Sequence, residues 1–454
     1  MPKKKIAICH YRVGGTDGVS LEIAKRKQIL EKHGCEVKLI AGNRSRGADF
    51  IIDELEWDNG IIPIIKENGF IYFRRKDLNE KEFIKKTHDI CEIIERRLGA
   101  IYLNEKFNCI LIHNVFSFGG HIAAARAFTR WIKHYNIKAI ATHHDFYWER
   151  REFNMPRSGY LRNYMKKYMP PNDPNIEHVV INTLAQQELK RRRGINSTVL
   201  PDIFNFNQPL WKKDDFNKDF LKQFGIKEND LIILQATRVI PRKGIEISID
   251  FVKTLLQDID LITWKKLYNG KLLDSRSNIV LVLAGYAEDE KREYLFKLKT
   301  KAFDDHIHVK FISGHVKASR SFHQGIKTYS LWDAYVHADL VTFPSFWEGW
   351  GNQFIEAVFA KKPIVAFEYP VFKSDIKKEG YQVISLGDGP VTEDNDDLKK
   401  IPQKNIDQAA KVTINWLLDQ DLNKKLDQNF SLGKKYHDFK ILENFLIKKL
   451  NLKP

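Results

Sequence analysis

Two doubly wound, Rossmann-like α/β domains facing each other across a cleft are what the sequence predicts, and three observations carry the prediction. The chain has 454 residues, too many for one hydrophobic core and suited to two units of roughly 200 residues each. Strand-length apolar runs alternate with amphipathic helical stretches along most of it, the signature of βαβ units and parallel sheets. Between residues 199 and 217 the alternation gives way to VLPDIFNFNQPLWKKDDFN, whose proline, asparagine and charge read as an interdomain linker.

In order along the chain, KIAICHY, RVGGTDGV, SLEIAKRKQILEKHG and CEVKLIAG read as strand, glycine loop, helix and strand, a parallel βαβ unit. Further strands are expected at CILIHNV (109–115), AIATHHD (139–145) and HVVINT (178–183), with the helical GGHIAAARAFTRWIKHY between the first two. These elements fill a first domain, residues 1–205. A second series, in residues 206–433, runs through DLIILQATR (230–238), NIVLVLAG (278–285), HIHVKFISG (306–314), ADLVTFPS (338–345) and PIVAFEY (363–369). Their near-continuous apolar character is that of parallel strands covered on both faces. KILENFLIKKLNL closes the chain as an amphipathic helix.

Composition sets the class. Hydrophobic residues make up 43% and charged residues 29%, ordinary for a soluble protein, and no apolar run approaches the ~20 residues that span a bilayer. The start MPKKKIAICHY flows into a strand and a glycine loop rather than a cleavage site, so a cytoplasmic chain without a secretion signal is expected. Cys9, Cys35, Cys91 and Cys109 show no CxxC spacing and read as small buried hydrophobes. The net charge of +16 favours anionic partners: nucleic acid, anionic lipid or phosphorylated small molecules. Charge alone does not choose among them, and lysine-rich solvated helix faces account for much of it.

Ligands of open α/β sheets bind at the carboxyl ends of the strands. In FPSFWEGWGNQFIEAVFAKKPIVAF, a strand ends before FWEGWG and a helix starts near Asn352. Glu348 lies in the loop, and Glu356 follows after seven intervening residues, about one turn into the helix. Gly349 and Gly351 let the backbone approach a ligand, and the N–H groups around Gly351, Asn352 and Gln353 suit an anion such as a diphosphate. A carboxylate beside a phosphate is repulsive unless it takes neutral hydroxyls, so ribose or sugar hydroxyls are the natural partners of Glu356. In ATRVIPRKG, Arg238 ends a strand and Lys243 precedes a helix, two cations for a diphosphate, while Arg242 between them reads as solvated. His143 points opposite to His144 in an extended segment and reads as structural. His113, also at a strand end, reads as a substrate contact or as a hydrogen-bonded support. Trp347 and Trp350 read as packing or as a stacking surface for a sugar. The Asp-x-Asp matches at 258–260 and 394–396 follow no strand, and no metal ligand is assigned.

Five motifs, VGGTDG, ATHHD, VLPDIFNFN, ATRVIPRKG and EGWGNQFIE, occur in the order of the family-4 retaining glycosyltransferases, which the chain resembles over essentially its whole length. The resemblance implies the GT-B fold, with a last helix (434–454) that crosses back to the first, acceptor-side domain. It also implies transfer of a hexose, with retention, from a nucleotide-diphosphate sugar of the GDP-mannose or UDP-glucose type to an acceptor hydroxyl. The sugar nucleotide is then a co-substrate, with no other cofactor and no metal. His144 would contact the donor sugar near the reacting carbon, and Glu348, Arg238 and Lys243 would complete the catalytic set. Gly14, Gly15, Arg238, Lys243, Gly351, Asn352, Gln353 and Glu356 would hold the nucleotide. The runs TDGVSLEIAKRKQILEKHG, HHDFYWERREF, VVINTLAQQELKRRRGI and LWDAYVHADLVTFPS are similar to a branch that includes mannosylglucosyl-phosphoglycerate synthases. A small anionic glycoside is the acceptor this suggests. The alternative is a lipid or cell-surface glycan at an anionic membrane, with peripheral contact at the inner membrane face. No nucleic acid partner is expected. Two readings from other classes stand beside these: a sugar-nucleotide epimerase of the same fold, and a basic polyanion-binding protein using clusters such as Lys190–Arg193.

Overall fold

The computed structural model describes residues 3–15, 17–70, 78–286 and 292–453; Thr16 of the VGGTDG motif lies outside them. The chain forms two units, Met1–Asp202 with Lys440–Pro454, and Ile203–Phe439.

The first unit is built on β1 (Lys5–Cys9), β2 (Glu36–Ala41), β3 (Phe50–Ile51), β4 (Cys109–His113), β5 (Ala139–His143), β6 (Ile176–Val180) and β7 (Ser197–Val199). They pair in the order β3-β2-β1-β4-β5-β6-β7, parallel throughout. Every residue of β4 and β5 is buried, as apolar strands with helices on both faces must be. The order reverses between β1 and β4, which marks the carboxyl ends of these two strands as the ligand crevice of such a sheet. Asp17 starts the first helix, Gly18–Lys32, by accepting the Val19 and Ser20 N–H groups. An Asn79–Glu82 capping box starts the long helix Glu80–Glu105.

The second unit contains β8 (Leu231–Gln235), β9 (Ile279–Leu283), β10 (His308–Phe311), β11 (Val316–Lys317), β12 (Ser321–His323), β13 (Ile326–Ser330), β14 (Leu340–Phe343), β15 (Ile364–Ala366) and β16 (Ile384–Ser385). Its main sheet runs β10-β9-β8-β14-β15-β16, all parallel, and β11-β13-β12 form a small separate sheet. The switch of strand order falls between β8 and β14, which carry ATRVIPRKG and EGWG beyond their ends.

Three expectations need correction. The 306–314 run is not a doubly covered strand: β10 is an edge strand with an exposed first residue and half-buried remainder. Nor is 199–217 a free linker from end to end, because Ile203 and Phe206 are buried. Phe204 and Phe206 pack on Phe359, and the Asn207 amide donates to Asp438 at 3.1 Å. The boundaries accordingly fall at 202/203 and 439/440 rather than at 205 and 434, since the helix Leu422–His437 stays with the second unit.

The last helix, Phe439–Leu450, buries Leu442, Leu446 and Leu450 and is fastened to the first unit by charge. Lys4 Nζ donates to the Leu450 carbonyl at 2.5 Å, Glu443 meets Lys32 and His33 at 2.8 Å each, and Lys449 pairs with Glu177. Among the described residues no helix is long and apolar enough to cross a membrane. Leu446→Ala is expected to destabilise the first unit by ~2–5 kcal/mol through the cavity it leaves. Chemical denaturation checks this, and an unchanged midpoint would place the helix elsewhere.

Candidate functional site

In the second unit the site starts from one polar side chain in an apolar strand. Gln235, the last residue of β8, is fully buried; its amide donates to the Lys243 carbonyl at 3.0 Å, and its oxygen accepts the Ser248 hydroxyl at 2.8 Å. That pins the turn Pro241–Lys243 and the start of the helix Ile245–Gln257. Gly244 between them has φ 61°, and a Cβ there would lie 2.5 Å from the Pro344 carbonyl, so only glycine lets the two loops meet. A backbone bond from Phe346 N–H to the Arg242 carbonyl at 2.9 Å joins the same loops.

Glu348 is 7% exposed and Lys243 4%. The Lys243 ammonium donates to Glu348 Oε1, and Arg242 Nη1 donates to Oε2 at 2.8 Å. Burial opposes ionisation of Glu348, but the charges and hydrogen bonds of Lys243 and Arg242 outweigh it and hold the carboxyl below its ordinary range. Burial lowers the pKa of Lys243 in turn, with Glu348 opposing the shift. Both directions are compatible with an ionised pair. Two expectations change here. Lys243, expected as a cation for a diphosphate, is buried and already paired with Glu348, which neutralises it. Arg242 is not a solvated bystander: Nη1 also donates to the Trp347 carbonyl at 2.8 Å, and the guanidinium carbon lies 5.6 Å from the centre of the Trp347 ring. Arg238 stands three residues beyond β8 rather than at its end, half-buried.

The helix Asn352–Phe359 begins after Gly351, so the N–H groups of Asn352 and Gln353 head it. Gly351 has φ 138°, and a Cβ would come within 2.7 Å of the Tyr369 hydroxyl; the chain's own packing demands this glycine. Trp350 is buried against His437, ring centres 4.9 Å apart, which is the packing reading, whereas Trp347 is 40% exposed. Glu356 is half-buried, and its Oε2 accepts the Tyr335 hydroxyl at 3.0 Å. The Asp-x-Asp matches have local roles: Asp258 ends the helix Ile245–Gln257, and Asp394 accepts the Asp396 and Leu398 N–H groups.

In the first unit, His144 stands just past β5. Its Nε2 is 3.1 Å from Nδ1 of the fully buried His113, and the two rings stack. This is the supporting role for His113, whose carbonyl in turn lies 2.8 Å from His10 Nδ1. Asn114, at φ 56°, accepts the His144 N–H at 2.8 Å and donates to Asp145 at 3.0 Å. Arg150 closes the set on Asp145. His143 turns the other way, its Nε2 2.9 Å from His178 Nδ1. Gly14 (φ 74°) packs so closely that a Cβ would lie 2.1 Å from the Arg46 carbonyl, and one on Gly15 2.9 Å from Asp17 Oδ2. Desolvation, with Arg26 next in weight, pushes His144 down to about 3, so it is a neutral imidazole near neutrality. Sequence reasoning missed Gln235, Asn114 and Tyr335. The first had a signal, as the only polar residue of LIILQ.

Comparisons with known proteins give the family and the fold. Residues 216–431 match the family described as glycosyl transferases group 1. A protein named mannosylglucosylglycerate synthase from Petrotoga mobilis is 38% identical over 96% of this chain and 99% of its own. The chain belongs to the group 1 glycosyl transferases. A second protein of the same name, from Thermotoga maritima, is 36% identical over 97% of this chain and 98% of its own. Sucrose-phosphate synthase from Thermosynechococcus elongatus, 12% identical, superposes over 99% of this chain and 98% of its own with a TM-score of 0.60. The two parallel-sheet units are those of the GT-B glycosyltransferases, and this protein is a glycosyltransferase.

A stability prediction follows from the histidines of the first unit. Burial lowers the pKa of His10, His113, His121, His143, His144 and His178. The unfolded chain therefore takes up protons near pH 6.5 that the folded one refuses until about 3–4 at His121, His144 and His178, and stability falls as pH drops through that window. The melting temperature is expected to be lower at pH 5 than at pH 7.5; equal or higher values would contradict the buried neutral state.

Proposed function

We propose that this glycosyltransferase moves mannose, with retention, from a nucleotide-diphosphate sugar of the GDP-mannose type to a small anionic acceptor built of glucose and glycerate. The observation that carries the reading is Glu348, in the loop beyond β14 and buried with Lys243 and Arg242 on its two oxygens, followed by a helix that carries Glu356 about one turn from its N-terminus. The relatives' name supplies the sugars: mannose, glucose and glycerate are the parts of the product, and one transfer of mannose onto a glucosyl glycerate joins them. That name carries no phosphate, so the acceptor's charge is its carboxylate.

In this reading Arg238, Lys243 and the N–H groups at Gly351, Asn352 and Gln353 take the diphosphate charge as it leaves, each important donor contributing about 3–4 kcal/mol to the transition state. Glu348 accepts hydroxyls of the donor sugar, and Glu356 those of the ribose. His144, neutral, donates a hydrogen bond near the reacting carbon rather than a proton. Gly14 and Gly15 line the first unit's phosphate loop. The acceptor proton passes to the leaving phosphate on the same face of the ring.

The test is product analysis by mass spectrometry with GDP-mannose or UDP-glucose as donor and glucosylglycerate or its phosphorylated form as acceptor. A mannosylated glucosylglycerate supports the reading; an altered sugar nucleotide formed without acceptor indicates an epimerase, and product only with a lipid acceptor indicates the membrane alternative. Glu356→Ala is expected to weaken nucleotide binding by about 1.5–3 kcal/mol, the loss of hydrogen bonds to a charged group; unchanged affinity by calorimetry would remove Glu356 from the site. Since protein cations and a helix N-terminus balance the diphosphate, transfer is expected to survive EDTA. Loss restored by magnesium or manganese would contradict that.

A further inference from the structure

We infer that Arg242 is a positioning residue of the transfer site: it holds Glu348 by one oxygen so that Lys243 can release the other and turn to the donor diphosphate. The inference rests on the donor site proposed above. Glu348 has two oxygens and two cations, Lys243 on Oε1 and Arg242 on Oε2 at 2.8 Å. Lys243 is buried, with a side chain 5% exposed, whereas that of Arg242 is 34% exposed. A buried carboxylate with a single counter-ion does not release it, because the charge left behind is unpaired in a poorly solvated place. A second cation removes that obstacle. With Arg242 in place Glu348 stays neutralised when Lys243 moves to a phosphate oxygen, and Oε1 becomes free to accept a sugar hydroxyl.

Arg242 is built for the fixed half of this exchange. The same Nη1 that reaches Glu348 also reaches the Trp347 carbonyl at 2.8 Å, the guanidinium lies beside the Trp347 ring, and the Arg242 carbonyl accepts the Phe346 N–H at 2.9 Å. Arg242 is thus tied to the loop that carries Glu348, whereas among the described contacts the Lys243 ammonium is held by Glu348 alone. A lysine at 242 would keep the charge but not the guanidinium's planar fork of donors.

The pH dependence gives a readout that mere packing would not move. The charged groups facing Glu348 are Lys243 and Arg242, and those facing Lys243 are Glu348, Arg242 and Arg238. Arg242 lowers the pKa of both members of the pair. Activity requires Glu348 ionised and Lys243 protonated, so removing Arg242 moves both the acid and the alkaline limb of the profile to higher pH.

The experiment is steady-state transfer from GDP-mannose to glucosylglycerate across pH by the wild type, Arg242→Gln, Arg242→Lys and Glu348→Gln, with thermal melts of each. Arg242→Gln is expected to lower kcat/KM roughly 10- to 100-fold, as loss of a hydrogen bond to a charged group does, and to shift both limbs upward. Arg242→Lys is expected to recover most of the rate. Rates for Arg242→Gln within threefold of wild type, or an unmoved profile, overturn the inference while leaving the donor site standing. Equal losses in both Arg242 variants with lowered melting temperatures assign Arg242 to the fold alone and also overturn it. A fully active Glu348→Gln, or a wild type inactive with every sugar nucleotide tried, overturns the donor site and the inference together.

Discussion

A carboxylate buried at the end of a parallel strand has to be neutralised where it stands, and in this chain Lys243 and Arg242 do that for Glu348. Both cations come from the loop after β8 and the carboxylate from the loop after β14, neighbours in the sheet with Leu340 opposite Ile233 and Val341 opposite Leu234. Pairing of these strands brings the loops together at the point where strand order reverses. The loops are then fitted to each other by Gly244, by the bond from Phe346 to Arg242, and by Gln235 beneath them. Losing one partner of such a pair leaves a charge buried and unpaired, so the constraint that fixes the loops also fixes the chemistry available there.

The first unit orders the end of β5 with neutral groups, backed by the ion pair of Asp145 and Arg150. His113 supports His144 and Asn114 holds its backbone, while His143 and His178 form a second pair facing away. Behind them the helix Gly18–Lys32 buries Glu22 between Lys25 and Arg26, 2.6 and 2.7 Å away; burial opposes its ionisation, and the two cations overcome that and bring the carboxyl to about 2. An imidazole kept uncharged in this setting donates or accepts hydrogen bonds, and it does not deliver a proton at neutral pH.

Much of this was legible in the sequence, for local reasons. Apolar runs mark β1, β4, β5, β8, β9 and β14 because burial on both faces is written into each strand separately. The paired glutamates and the glycines near them mark the second unit's candidate site because their spacing is itself the signal. What escaped the sequence depends on partners distant along the chain. Arg242 reads as a solvated cation, and Lys243 as a cation for a diphosphate without a protein partner, until Glu348, more than a hundred residues away, is placed beside them. Asn114 and Tyr335 look ordinary in their own segments. The run around Phe204 and Phe206 resembled a linker because its core partners, Phe359 and Asp438, come much later. The role of glycine was legible in kind but not in cause, since Gly14 and Gly351 are required by contacts with Arg46 and Tyr369.

The central claim is that the buried cation at 243 is the one that meets the donor's diphosphate. Calorimetric titration of GDP and UDP into the wild type and Lys243→Gln, with folding verified by melting, tests it most directly. The account predicts that the nucleotide the wild type binds is bound at least about tenfold more weakly by the variant, the loss of one charge-assisted hydrogen bond. Equal affinity in a folded variant would contradict it.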